Sequence, residues 1–141
     1  MEKTHGVVLL ALGLLLAGCQ FKGAEREPGV MLADYKWVVE QIGGQGVNAN
    51  SRVTLLFSND GRIAGRASCN RMNGRYEAAE NSLTFADLGT TRMACPDPLM
   101  EQEQRFLDTL ESVQTYAISQ HGALLLYRGE EVVVEALPEG D

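Results

Sequence analysis

The feature that most constrains this chain is the tetrapeptide Ser58-Asn59-Asp60-Gly61, flanked by Arg52-Val53-Thr54-Leu55-Leu56-Phe57 and Arg62-Ile63-Ala64-Gly65-Arg66-Ala67. Asp-Gly readily takes the positive φ angles of a tight turn, and the flanks alternate with a period near two, so the pair predicts an antiparallel hairpin. In its second strand Ile63, Gly65, Ala67 and Cys69 share one face, which points Cys69 inward. The same cadence recurs along the chain. Tyr35 to Ile42 carries the single Trp, and Trp37 is expected in the core. Asn73-Gly74 predicts a second type I′ turn leading into Arg75-Tyr76-Glu77, and Asn81-Ser82 precedes Leu83-Thr84-Phe85. Thr115 to Ile118, His121 to Tyr127 and Glu131 to Leu137 complete a set of about eight or nine strands.

One segment departs from that period. Asp97-Pro98 supplies a capping side chain followed by a proline where a missing N–H costs nothing, so a helix is expected to begin there. Leu99, Met100, Phe106, Leu107, Leu110 and Val113 then form its apolar stripe. Glu101, Gln102, Gln104, Arg105, Asp108 and Glu111 are expected mostly outward, and the carboxylates, Glu103 among them, read as a solvated face. The fold class is mainly β with one α-helix packed against the sheet.

Against 12 Lys and Arg stand 19 Asp and Glu, a formal net charge of −7 over 141 residues. An acidic balance lacks the basic surplus that phosphate neutralisation requires, so nucleic acid is not an expected partner.

The N-terminus reads as an export signal. Gly6 to Gly18 is an uncharged apolar run, shorter than the roughly 20 residues of a membrane span, and it ends in Leu16-Ala17-Gly18-Cys19. That ending resembles the lipobox of bacterial lipoproteins, in which cleavage precedes a cysteine that becomes lipidated. The resemblance implies a signal peptide over residues 1–18, a lipid on Cys19, and a flexible tether over residues 19–32. Gln20 after the cysteine points, by resemblance to enterobacterial sorting, to the outer membrane facing the periplasm. The alternative is an ordinary cleaved signal that leaves Cys19 as a free thiol.

Cys69 and Cys95 are then an even number of cysteines in an oxidising compartment, and a disulfide between them leads over a pair of buried free thiols. A catalytic pairing of either with His121 has little to support it, because His121 neighbours Gly122 in an expected turn. No CxxC or HxxxH spacing gathers zinc ligands, and Asn59-Asp60-Gly61 lacks the remaining acids of a calcium loop. No catalytic residue, metal or cofactor is predicted.

Cys69-Asn70-Arg71-Met72-Asn73-Gly74-Arg75-Tyr76, Thr91-Arg92-Met93-Ala94-Cys95, and Glu103 with Phe106 and Leu110 resemble the META domain of HslJ-type heat-shock lipoproteins. The match runs over residues 33–137, leaving 138–141 as a tail, and Ser68 and Met72 stand where the family usually has Gly and an aromatic residue. The resemblance implies a strongly curved antiparallel sheet approaching a small lipocalin-like barrel, in a cell-envelope protein associated with heat and other stress. It carries over no catalytic residues.

A bridge would set the loops around the two cysteines side by side, making Asn70, Asn73, Arg92 and Met93 the candidate interaction surface. A competing account has Asn70 and Asn73 capping turns through nearby backbone. The expected function is that of a non-enzymatic, membrane-tethered envelope protein that binds an unidentified envelope protein or supports envelope integrity under stress. The alternative is a barrel that binds a small apolar ligand in a cavity lined by Trp37, Phe57 and Phe85.

Overall fold

A computed structural model of the chain describes residues 32–140. The expected signal peptide, the expected lipidation site Cys19 and all of the expected tether except Leu32 lie outside these residues.

Nine strands follow in chain order: β1 Lys36–Ile42, β2 Gln45–Gly46, β3 Arg52–Phe57, β4 Arg62–Ser68, β5 Arg71–Ala79, β6 Ser82–Thr90, β7 Thr115–Ile118, β8 Leu124–Arg128 and β9 Glu131–Pro138. Among the described residues one long helix, α1 (Asp97–Glu111), interrupts the meander between β6 and β7. All pairings are antiparallel and run in the order β2-β1-β3-β4-β5-β6-β7-β8-β9, and β1 also pairs with β9. The sheet therefore closes into a ring, with the two-residue β2 as a spur on β1. The closure is uneven. β3 and β4 share six register pairs from Arg52↔Ser68 to Phe57↔Ile63, whereas β6 and β7 share only Ser82↔Thr115. Helix α1 packs on β4, β6 and β1.

Curvature has an identifiable source in Gly65. Its φ is +159°, and a Cβ there would overlap the backbone carbonyl of Thr54 on β3, so β4 can bend this closely over its neighbour only without a side chain. Inside the ring Trp37, Leu55, Ile63, Leu83, Leu124, Leu126 and Val134 are buried, and Phe106 and Leu110 of α1 join the same cluster.

The predicted hairpin at 58–61 forms, with Gly61 at φ +80° and its N–H donating to Ser58 O at 3.1 Å. Among its residues only Gly61 has positive φ, so the loop is a type I turn followed by a left-handed glycine, not a two-residue type I′ turn. The predicted turn at Asn73-Gly74 does not exist: both residues lie inside β5. The true β4–β5 turn is Cys69-Asn70. Gly74 is required by close approach instead, since a Cβ there would lie 2.8 Å from Leu88 Cδ2 and 3.0 Å from Ala86 O, where β6 carries a bulge against β5.

Three boundaries also shift. Leu32, read as tether, is fully buried and accepts a 3.0 Å hydrogen bond on its carbonyl from Trp37 Nε1. Pro138, read as tail, pairs with Trp37 in β9, and Glu139 bridges Lys36 at 3.0 Å and also Arg52. The helix cap is Pro96, whose carbonyl accepts from Leu99 N and Met100 N; Asp97 is the first helical residue and makes no capping bond, although its charge suits the positive end of the helix.

Candidate functional site

The polar residues singled out by sequence converge where α1 meets the β4–β5 turn. Alternation in β4 holds through Ala67 and then breaks: Ser68 takes φ +142° and is buried beside Ala67. Cys69 is thereby turned out of the inner face and is only half-buried, contrary to the inward direction expected from alternation. A disulfide joins it to Cys95 with the two Cα atoms 6.4 Å apart, a separation suited to a bridge, and ties the turn to the segment leading into α1.

Two side chains expected outward on α1 are buried beneath this turn. Glu103 is 4% exposed: its Oε2 accepts from Asn70 N at 2.8 Å and Cys69 N at 3.2 Å, and its Oε1 accepts from Asn70 Nδ2 at 2.8 Å. Gln102, 2% exposed, donates from Nε2 to Ser51 Oγ at 2.7 Å and Ser68 Oγ at 2.9 Å, and its Oε1 accepts from Asn48 N at 2.7 Å. On the other side Asn70 Oδ1 accepts from Met93 N at 2.7 Å and Thr91 Oγ1 at 3.1 Å, and Thr91 Oγ1 in turn accepts from Arg71 N at 3.1 Å. Asn70 therefore uses its side chain and its own N–H to hold three segments together, which is the structural account of this residue. A buried polar group costs stability unless paired, and here the pairing is complete in both directions around Asn70. Meanwhile Met100, expected in the apolar stripe, remains 37% exposed.

The predicted surface is only partly assembled. Arg92 and Met93 are exposed beside the disulfide, Met93 by 56%, but Asn70 is buried under them. Asn73 is exposed on β5, opposite Ala64 and Gly89, as a sheet residue and not as part of the cysteine loops. The residues that sequence reasoning missed are Gln102 and Ser68, with Glu103 misplaced as solvated. The signal that could have found Glu103 is that it shares the family resemblance with the Cys69–Tyr76 segment containing Asn70.

His121 is exposed in the turn between β7 and β8, whereas the cysteines sit at the β4–β5 turn and ahead of α1. Among the described residues no three His, Cys, Asp or Glu side chains are placed to hold a metal, and no helix is long and apolar enough to cross a membrane. Trp37, Phe57 and Phe85, the expected cavity lining, pack into the core; Phe57 meets Tyr76 edge-on at 4.9 Å and lies 6.0 Å from Phe85. Among the described residues, shallow clefts of 450, 450 and 540 Å³ are lined largely by charged and polar residues such as Glu101 and Asp108, Asp60 and Glu77, or Arg62 and Arg75. Burial, with a smaller contribution from the Asp60 charge, raises the Tyr76 hydroxyl above its ordinary value; burial and then the neighbouring Tyr76 do the same to Tyr116.

Comparison with known proteins agrees with this architecture. The chain is 26% identical over 102 residues to "Heat shock protein HslJ" of Escherichia coli (strain K12), a span covering 72% of this chain and 71% of that protein. An NMR structure of a protein from Burkholderia xenovorans superposes with a TM-score of 0.67 at 20% identity, covering 100% of both chains. A crystal structure of a DUF4847 family protein from Bacteroides vulgatus ATCC 8482 superposes with a TM-score of 0.58 at 13% identity, covering 81% of this chain and 99% of that one. At those identities the two structures speak to the fold alone. The family pattern of the META domain matches residues 30–140, most of the chain, and the protein belongs to the META domain family.

Proposed function

We infer that this protein is a lipid-anchored, non-enzymatic component of the bacterial cell envelope that acts under heat and envelope stress by binding a partner through its surface. The observation that carries the non-enzymatic part is the occupancy of its most elaborate polar cluster. Glu103, a buried carboxylate, is engaged by three N–H donors from one turn, and Asn70 by further donors from the Thr91–Met93 segment. Groups held this way fix a fold and are not themselves free to act as acid, base or nucleophile.

Leu16-Ala17-Gly18-Cys19 supports the anchor, and a disulfide between the two remaining cysteines suits an oxidising compartment such as the periplasm. The heat-shock name of the relative supports the stress association. Metabolic labelling with an alkyne fatty acid, followed by membrane fractionation, tests the reading. Label and outer-membrane residence that both disappear in Cys19→Ser are expected; an unlabelled chain in the soluble fraction would overturn it.

A further inference from the structure

We propose that the outer face of β1, β3, β4 and β5 is a docking surface for an anionic phospholipid membrane, so that the domain lies on the bilayer instead of hanging free of it. The inference rests on the lipid-anchor reading above.

Charge is divided unevenly along this acidic chain. Residues 52–92 hold six arginines against four carboxylates, whereas residues 93–140 hold two arginines against nine. On the outer face the arginines of β4 and β5 are direct register partners, Arg62↔Arg75 and Arg66↔Arg71. Like charges directly opposite each other weaken a sheet, so folding alone gives no reason for two such pairs. Arg62 and Arg75 are relieved by Asp60 at 2.8 Å and Asp87 at 3.2 Å. Arg66, Arg71 and nearby Arg92 have no carboxylate within ion-pair distance among the described residues. Guanidinium groups in that state are suited to phosphate, which they grip through paired N–H donors.

Two further observations favour a membrane over an acidic protein. Leu56 and Leu137, 45% and 41% exposed, share this outer face, since Lys36 pairs with Leu56 and Val38 with Leu137. Exposed leucines beside cations are the composition of a surface that settles at the boundary of headgroups and acyl chains. Moreover, β1 begins on this face at Lys36, and two strand spacings of about 5 Å bring it to β4. Residues 20–31, which would connect Cys19 to the domain, reach at most about 40 Å, so a lipid on Cys19 would confine the domain to within that distance of the headgroups. Glu139, between Lys36 and Arg52, is the carboxylate set into that end of the surface.

The test uses the processed full-length protein and vesicles of phosphatidylcholine, with or without phosphatidylglycerol, carrying a dansyl headgroup acceptor for the lone tryptophan, Trp37. Flotation on pure phosphatidylcholine reports the anchor; a gain in Trp37 energy transfer with phosphatidylglycerol reports docking. Flotation on both compositions, with transfer that rises on phosphatidylglycerol and falls with salt, is expected. An arginine near an anionic surface is worth about fivefold in association, so Arg66→Gln with Arg71→Gln should lower the docked-to-undocked ratio about 25-fold. Arg128→Gln, on β8, should leave it unchanged. Thermal unfolding of each variant confirms that it is folded. Flotation on both with no gain in transfer, or a gain that the double variant retains, overturns docking and leaves the anchor standing. Flotation only with phosphatidylglycerol overturns the anchor and leaves docking standing; no flotation on either overturns both.

Discussion

Two sets of polar side chains flank the same two-residue turn at Cys69-Asn70 and have opposite fates. Beneath it, Glu103, Gln102 and Asn70 are almost completely buried, and their hydrogen bonds run to other parts of this chain. Beside it, Arg66 and Arg71 stand exposed and face each other with no carboxylate partner among the described residues. The first set is architecture: removing one member strands the others in a place that water does not reach. The second is available surface, and removing it should cost the fold almost nothing. The contrast separates what the motif around the cysteines is for from where a partner can reach the molecule.

The sharpest break of that contrast is Glu103→Ala. It leaves Asn70 N, Asn70 Nδ2 and Cys69 N without their acceptor, and the expected loss is about 3–5 kcal/mol of stability by urea denaturation. The disulfide comes next. Cys69 and Cys95 are 26 positions apart, and opening a loop of that size by Cys69→Ser with Cys95→Ser should cost roughly 3.5 kcal/mol in the chain-entropy picture, read as a lower unfolding midpoint. Asn70→Ala should lose about 2–3 kcal/mol, because Glu103 keeps its two backbone donors while Met93 N and Thr91 Oγ1 lose an acceptor.

The surroundings of this turn also show what a sequence can and cannot reveal. The hairpin at 58–61 and the strand cadence are local, since alternation and turn chemistry are written in neighbouring residues. Asn73-Gly74 carries the same local signature and yet lies within a strand, because Gly74 answers to Leu88 and Ala86 of the facing bulge. Glycine marks a tight turn and a close approach with the same letter. Gln102 and Glu103 read as solvated for a related reason: polarity on a helix predicts exposure unless a partner exists, and their partners lie between 33 and 54 positions away. The family resemblance brought Glu103 and Asn70 into one motif without stating that they touch. Asn70, Arg92 and Met93 lie in the segments that carry the cysteines, while the arginines that distinguish the outer face are visible only through the register that sets Arg66 opposite Arg71.

A smaller effect follows from the core. Tyr76 and Tyr116 are both raised above the ordinary value of 10.0, chiefly by burial, so the folded chain holds protons that the unfolded chain releases as pH climbs past that value. Their contribution is complete below pH 10.0 and is lost as pH rises through the folded values. Tyrosinate absorbance and loss of near-ultraviolet circular dichroism should therefore rise together in alkaline titration. Smallest of all is the change from Arg66→Gln with Arg71→Gln, expected within about 0.5 kcal/mol of the parent because neither side chain is buried or ion-paired among the described residues.

The distinction between architecture and surface is tested most directly by equilibrium urea unfolding of two variants in parallel. Glu103→Gln keeps the volume but turns one acceptor into a donor against the N–H groups of the turn, whereas Arg66→Gln with Arg71→Gln alters only the exposed face. A midpoint clearly lowered in the first and unchanged in the second is the predicted result. A Glu103→Gln chain as stable as the parent, or an equal loss in both, would contradict it.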